Sequence, residues 1–186
     1  MLITFTRVAG ASTLAVIRRP DGVTVELPGY DRKFRVPHDL AHAVAERELG
    51  MSGGVIGSIA GGVVFDNMRV VGGKPRHDAA DRSRRILAAN KRSIGIGEVM
   101  AGVLHDAVEH DRPAGVFDHA RRSWGVFSAD PLPWTEEQLA AAVRLLADLT
   151  IEFEQTGKLE FPWPDRLTSS VPSAPTGARR GRRGRV

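Results

Sequence analysis

The chain has 186 residues, of which 42% are hydrophobic and 26% charged, enough for one domain with a sizeable core and too few for two full ones. It contains no cysteine, so disulfides, thiolate nucleophiles and cysteine-ligated zinc are excluded, and a reducing cytoplasm is the expected setting. The isoelectric point of about 10.1 comes from the end of the chain, because six of the 26 basic residues follow residue 165 and no acid does, leaving residues 1–165 at a net charge of −2.

The first segment, MLITFTRVAG, lacks the basic region of a secretory signal. Leu2 to Val8 alternates with the period of two of a half-buried strand, and Ser12 to Arg19 follows as a second. Arg19-Pro20-Asp21-Gly22 is a turn, since proline fixes φ and glycine permits a positive one. Val23 to Leu27 returns as a third strand. Pro37 then opens a helix over residues 37–49 that Gly50 ends, with Leu40, Ala41, Val44 and Leu49 on its inward face.

The stretch GGVIGSIAGGVVF spaces Gly53, Gly57 and Gly61 four apart. It lacks the glycine-lysine pattern of a phosphate loop, so a short buried helix approached closely by another backbone is expected. This apolar run stops at Asp66, well short of the roughly 20 residues a membrane span requires. Residues 66–77 read as a loop. A helical region runs from about Asp78 to Asp111, with Gly95 and Gly97 as points where it could divide, and Ala114 to Trp124 form another short helix. Thr135 and Gln138 make a capping box for a helix ending near Gly157. From about residue 166 the chain is rich in Ser, Pro, Gly and Arg and cannot bury enough apolar surface to offset its ordering entropy, so a disordered tail is expected.

The chemistry concentrates in His38-Asp39-Leu40-Ala41-His42. Histidines at i and i+4 share one helix face and can point at one ion, and the acid between them can move a proton on a metal-bound water. Glu46 continues the spacing, but its Cα lies roughly 9 Å along the axis from the midpoint of the pair. That distance makes it a supporting or proton-transfer carboxylate beside Asp39 rather than a ligand. A second pair, His105 and Glu109, repeats the spacing on the long helix. Two such helices face to face would gather His38, His42, His105 and Glu109 around a divalent metal, zinc first, with iron, nickel or manganese as alternatives. The competing reading needs no metal: Asp39 suits a helix N-terminus, His42 packs as a hydrogen-bonded core ring, and His105 and Glu109 sit on a solvated helix end.

The segment GYDRKFRVPHDLAHAVAERELGMSGGVIGSIAGGVVF, residues 29–65, resembles a group of uncharacterised bacterial proteins sharing PHDLxHxxxExELGxxxGxxGxxAxG. The resemblance implies that His38, Asp39, His42 and Glu46 act as one unit and implies no activity. The HDxxH core is also similar to a coenzyme Q biosynthesis family, whose pattern adds a glutamate twelve positions after the second histidine. That position is Gly54 in this chain, so that family's function is not carried over.

The fold expected is α+β, with an N-terminal antiparallel three-stranded sheet packed on a mainly helical body in a single domain over residues 1–165, followed by the tail. Two functions compete. One is metal-dependent, hydrolase-type chemistry on a small-molecule or peptide substrate. The other is a non-enzymatic binding or regulatory domain whose Arg179, Arg180, Arg182, Arg183 and Arg185 contact nucleic acid or another polyanion.

Overall fold

The computed structural model describes residues 1–8, 12–29 and 33–173. Its architecture is α+β. Five strands, β1 (Leu2–Arg7), β2 (Thr13–Arg18), β3 (Thr24–Pro28), β4 (Arg69–Gly72) and β5 (Lys158–Pro162), form one antiparallel sheet in the order β4-β3-β2-β1-β5. The alternation legible in the sequence sets the register. Val25, Ile17, Ile3 and Phe161 stand abreast on one face, and Leu27, Ala15, Phe5 and Leu159 form the next row. All eight are buried, and a one-residue slip of any strand would turn its share of them to the other side.

Five helices pack with this sheet: α1 (His38–Glu48), α2 (Val55–Gly61), α3 (Ala79–Glu109), α4 (Val116–Trp124) and α5 (Glu136–Thr156). The apolar core is continuous from the sheet's inner face through α1, α3 and α5. Helix α1 is the central element: every residue from Leu40 to Glu46 is buried, against α2, α3 and α5. Ala41, Ala43 and Ala45 are small enough for neighbours to close in on all sides, and this brings His42 and Glu46 inside as well. The capping box at α5 is formed, with Thr135 Oγ1 accepting from the Gln138 amide and Gln138 Oε1 accepting from the Thr135 amide at 2.9 Å.

Four features differ from the sequence expectation. Strand β4 lies inside the segment read as a loop; it is an edge strand with Val70 and Val71 exposed, so it shows no buried-face alternation. Strand β5 follows directly on α5, and its alternation in Lys158–Pro162 is too short to stand out beside a helix end. Helix α3 is unbroken over 31 residues, because burial of its inner face outweighs the roughly 1 kcal/mol that each of Gly95 and Gly97 costs a helix. Residues 166–173 are ordered instead of belonging to a tail. The Ser169 amide donates to the Gly57 carbonyl at 3.0 Å, and its hydroxyl donates to the Ser52 carbonyl at 2.6 Å. This is the close backbone approach that the glycine spacing of α2 foretold. Residues 174–186, with the five tail arginines, lie outside the described residues. Among those described, no helix is long and apolar enough to cross a membrane.

At Gly57 a Cβ would stand 2.1 Å from the Ser52 carbonyl oxygen and 3.0 Å from that of Leu167. Gly57→Ala should therefore lower stability by about 1–3 kcal/mol or more. Gly102→Ala, in open space on α3, should raise it by roughly 0.5–1 kcal/mol. Urea-denaturation midpoints of the two variants should move in opposite directions.

Candidate metal centre

The site is built around a buried carboxylate. Glu46 has no exposed surface, and an unpaired charge there would be costly. Its oxygens instead accept four hydrogen bonds: Oε1 from the Val55 amide at 2.8 Å and His42 Nδ1 at 3.3 Å, and Oε2 from the Ile56 and Gly57 amides at 2.9 and 3.1 Å. The three amides are the first turn of α2, whose own N-cap, Gly54, has no side chain to offer. Glu46 thus caps α2 from a different helix. Gly54 is where the cap needs room, since a Cβ there would stand 2.3 Å from the Glu46 carboxyl carbon.

The carboxylate fixes His42. A carboxylate only accepts, so His42 Nδ1 carries a proton and Nε2 is aimed away from Glu46. Nε2 lies 3.2 Å from Oε2 of Glu98 on α3. His38, one turn earlier on α1, places its Nε2 3.8 Å from the same oxygen, and its ring meets His42 edge-on at 4.8 Å between centroids. One ligand atom each from His38, His42 and Glu98 fall within 4.8 Å of one another, a group that could hold a metal ion. His42 is buried, whereas the side chains of His38 and Glu98 are 45% and 53% exposed. The group is anchored from within and open to solvent on one side.

The structure brings together only some of the residues singled out in the sequence. His38 and His42 converge. His105 and Glu109 lie outside the group, with His105 Nε2 3.1 Å from the Val36 carbonyl and Glu109 accepting from the Arg35 and Val36 amides. The third member is Glu98, two helical turns before His105 on the same stripe of α3. Motif symmetry in the sequence pointed to His105 and Glu109 on this helix, whereas the candidate group takes Glu98 from it. Asp39 is half-buried in the first turn of α1 and borders, with His38, a cleft of about 300 Å³ whose walls include Thr13, Gly29 and Asn67. Glu46 has every lone-pair direction occupied and no open side from which to exchange a proton with solvent.

Burial disfavours a charged His42 imidazole, but hydrogen bonds to Glu46 and Glu98, together with their charges, more than offset it and raise its pKa from the ordinary 6.5 to about 9. The His38 and His42 imidazoles in turn hold the Glu98 carboxyl well below the usual carboxylate range. Without a metal, a proton on His42 bridges the two carboxylates.

Comparison with protein-family models, with curated proteins and with solved structures finds no match, so the reading of this site rests on its geometry.

Two measurements follow from this arrangement. Glu46→Gln puts an amide donor where only donors face it, and should cost about 1–3 kcal/mol per group left unpaired, read by chemical denaturation. For His42 the folded pKa is raised, so its contribution to stability is complete below pH 6.5 and is lost as pH climbs through about 9. The melting temperature of metal-free protein should fall across that window; a flat profile would contradict the charged bridge.

Proposed function

We propose that the His38–His42–Glu98 group binds one divalent metal, zinc foremost, and that the centre serves hydrolase-type chemistry on a small substrate entering from the cleft beside His38. The observation that carries this reading is the spacing of the three groups. With bonds of about 2.0–2.2 Å, ligand atoms of a tetrahedral site stand roughly 3.3–3.6 Å apart. Glu98 Oε2 lies 3.2 Å from one imidazole nitrogen and 3.8 Å from the other, either side of that range, while the three ligand atoms together lie within 4.8 Å of one another, so the exposed His38 ring would have to move inward to close around an ion. Two neutral nitrogens and one carboxylate oxygen form a mixed set that suits zinc and also accommodates iron, nickel or manganese.

Three protein ligands with an exposed side match the pattern of a catalytic site rather than a closed structural one. A metal held there would polarise a bound water or a substrate oxygen. The chain's own groups divide the remaining work. Glu46 holds His42 in the tautomer that presents Nε2, the carboxylate–histidine arrangement that orients metal ligands. Asp39 borders the cleft next to His38, and we assign to it the acceptance of a proton from the reacting water. The cleft's volume and its Thr13, Asp39 and Asn67 lining suit a small polar molecule better than an extended chain.

Because His42 must give up its Nε2 proton to bind, metal uptake near neutral pH should release a proton. Elemental analysis of the full chain, purified without tag or chelator, should find about one divalent metal per chain. His42→Ala and Glu98→Ala should each lose it, and calorimetry in buffers of different ionisation enthalpy should register the released proton. An empty wild type that also fails to bind added zinc would overturn the reading and leave the cluster a buried ion-pair network.

A further inference from the structure

His105 and Glu109 stand one turn apart near the C-terminal end of α3, with the spacing His38 and His42 have on α1. Both converge on Val36, the second residue before His38. The Val36 amide donates to Glu109 Oε2 at 3.0 Å, and the Arg35 amide donates to the same oxygen at 3.1 Å. The Val36 carbonyl lies 3.1 Å from His105 Nε2, and since a carbonyl only accepts, that nitrogen is the donor. Val36 is fully buried and belongs to no helix or strand, so side chains must satisfy both its backbone groups. The Arg35 guanidinium ties the same segment to α3, donating to the Val108 carbonyl and to Asp111 Oδ1.

The placement matters because His38 is the first residue of α1. Its N-cap, Pro37, makes no side-chain capping bond, so the turn bearing His38 lacks the usual local restraint against fraying. His42, a turn further in, is enclosed by packing; His38 is not. Ring contacts continue the support, with His105 edge-on to Phe34 at 5.2 Å and 6.1 Å from the His38 ring.

We propose that His105 and Glu109 are positioning residues for the metal centre, a clamp that fixes the chain entering α1 to α3, the helix that carries Glu98. The inference rests on the metal reading above. The clamp holds ligands from two helices in one frame: His38 is tied through Val36 to the same helix that presents the third ligand. It gives the repeated motif on α3 a role without making either residue a ligand.

The test uses the full chain loaded with zinc for affinity, by competition with a chromophoric chelator, and with cobalt(II) for its visible spectrum. His105→Leu removes the donor to Val36. It should weaken zinc binding by about 10–100-fold, the usual cost of losing a group that orients a ligand. The cobalt(II) spectrum at saturation should keep the intensity of the wild-type ligand set. His105→Gln, whose amide N–H can reach the Val36 carbonyl, should recover most of the affinity. Glu109→Gln keeps one acceptor and should give a smaller loss, which provides the same comparison should His105→Leu not fold. Melting temperatures of the metal-free variants separate a general loss of stability from a specific loss of affinity.

Wild-type affinity in both His105→Leu and Glu109→Gln, with the wild type binding normally, would overturn the clamp alone. A cobalt(II) spectrum showing one nitrogen ligand fewer in His105→Leu, without rescue by His105→Gln, would overturn it in favour of His105 as a ligand. A wild type that binds neither metal would remove the metal reading and the clamp's role with it.

Discussion

The organisation of this protein depends on satisfying one fully buried carboxyl group, that of Glu46. The solution is local and complete: three amides from the first turn of α2 and one imidazole N–H occupy both oxygens. Much of the surrounding structure follows from that arrangement. Helix α2 must begin where its amides meet Glu46, position 54 must be glycine to leave the carboxyl room, and His42 must present Nε2 outward. A helix cap, a histidine tautomer and a glycine are thus consequences of a single buried carboxyl group. This coupling also explains how a short helix with no cap of its own is held firmly within the core.

Helix α3 supplies what α1 cannot. A single α-helix can offer two histidines at i and i+4, but a third group on the same face sits too far along the axis to close around one ion. Glu98 closes the set from outside, and His105 and Glu109, further along α3, hold the segment that leads into α1. The length of α3 is what makes this division of labour available: 31 residues without a break allow one rigid element to contact the centre and the chain that enters it. Charge follows the same plan, since His42 lies between two carboxylates and holds its proton in the metal-free state well into the alkaline range. A cation held at this site would therefore have to compete with a proton for one nitrogen.

Much of the architecture is legible in the residues. The first three strands declare themselves by alternation around a proline-glycine turn, and α5 by its capping box. Helix α1 is bounded by Pro37 and Gly50, and α2 shows the glycine spacing of a close approach that residues 167–169 make. Strands β4 and β5 do not stand out, because an edge strand with exposed valines and a five-residue strand abutting a helix lack the length over which periodicity can be read. The ordering of residues 166–173 is likewise a tertiary effect: a polar, proline-bearing segment settles because α2 offers it a glycine face.

For the centre itself, the sequence by itself determined the pair. His38 and His42 are bound to share a helix face by the 3.6-residue turn, and the same geometry removes Glu46 from contention as a ligand. It also identified α3 as the helix to face them. Only the tertiary structure decided the height at which α3 crosses α1, and hence that Glu98 rather than His105 or Glu109 completes the group. Periodicity fixes the angle of a side chain about its own helix. The axial offset between two helices is set instead by how their side chains interlock and by what the connecting chain allows, and no spacing within one helix records it.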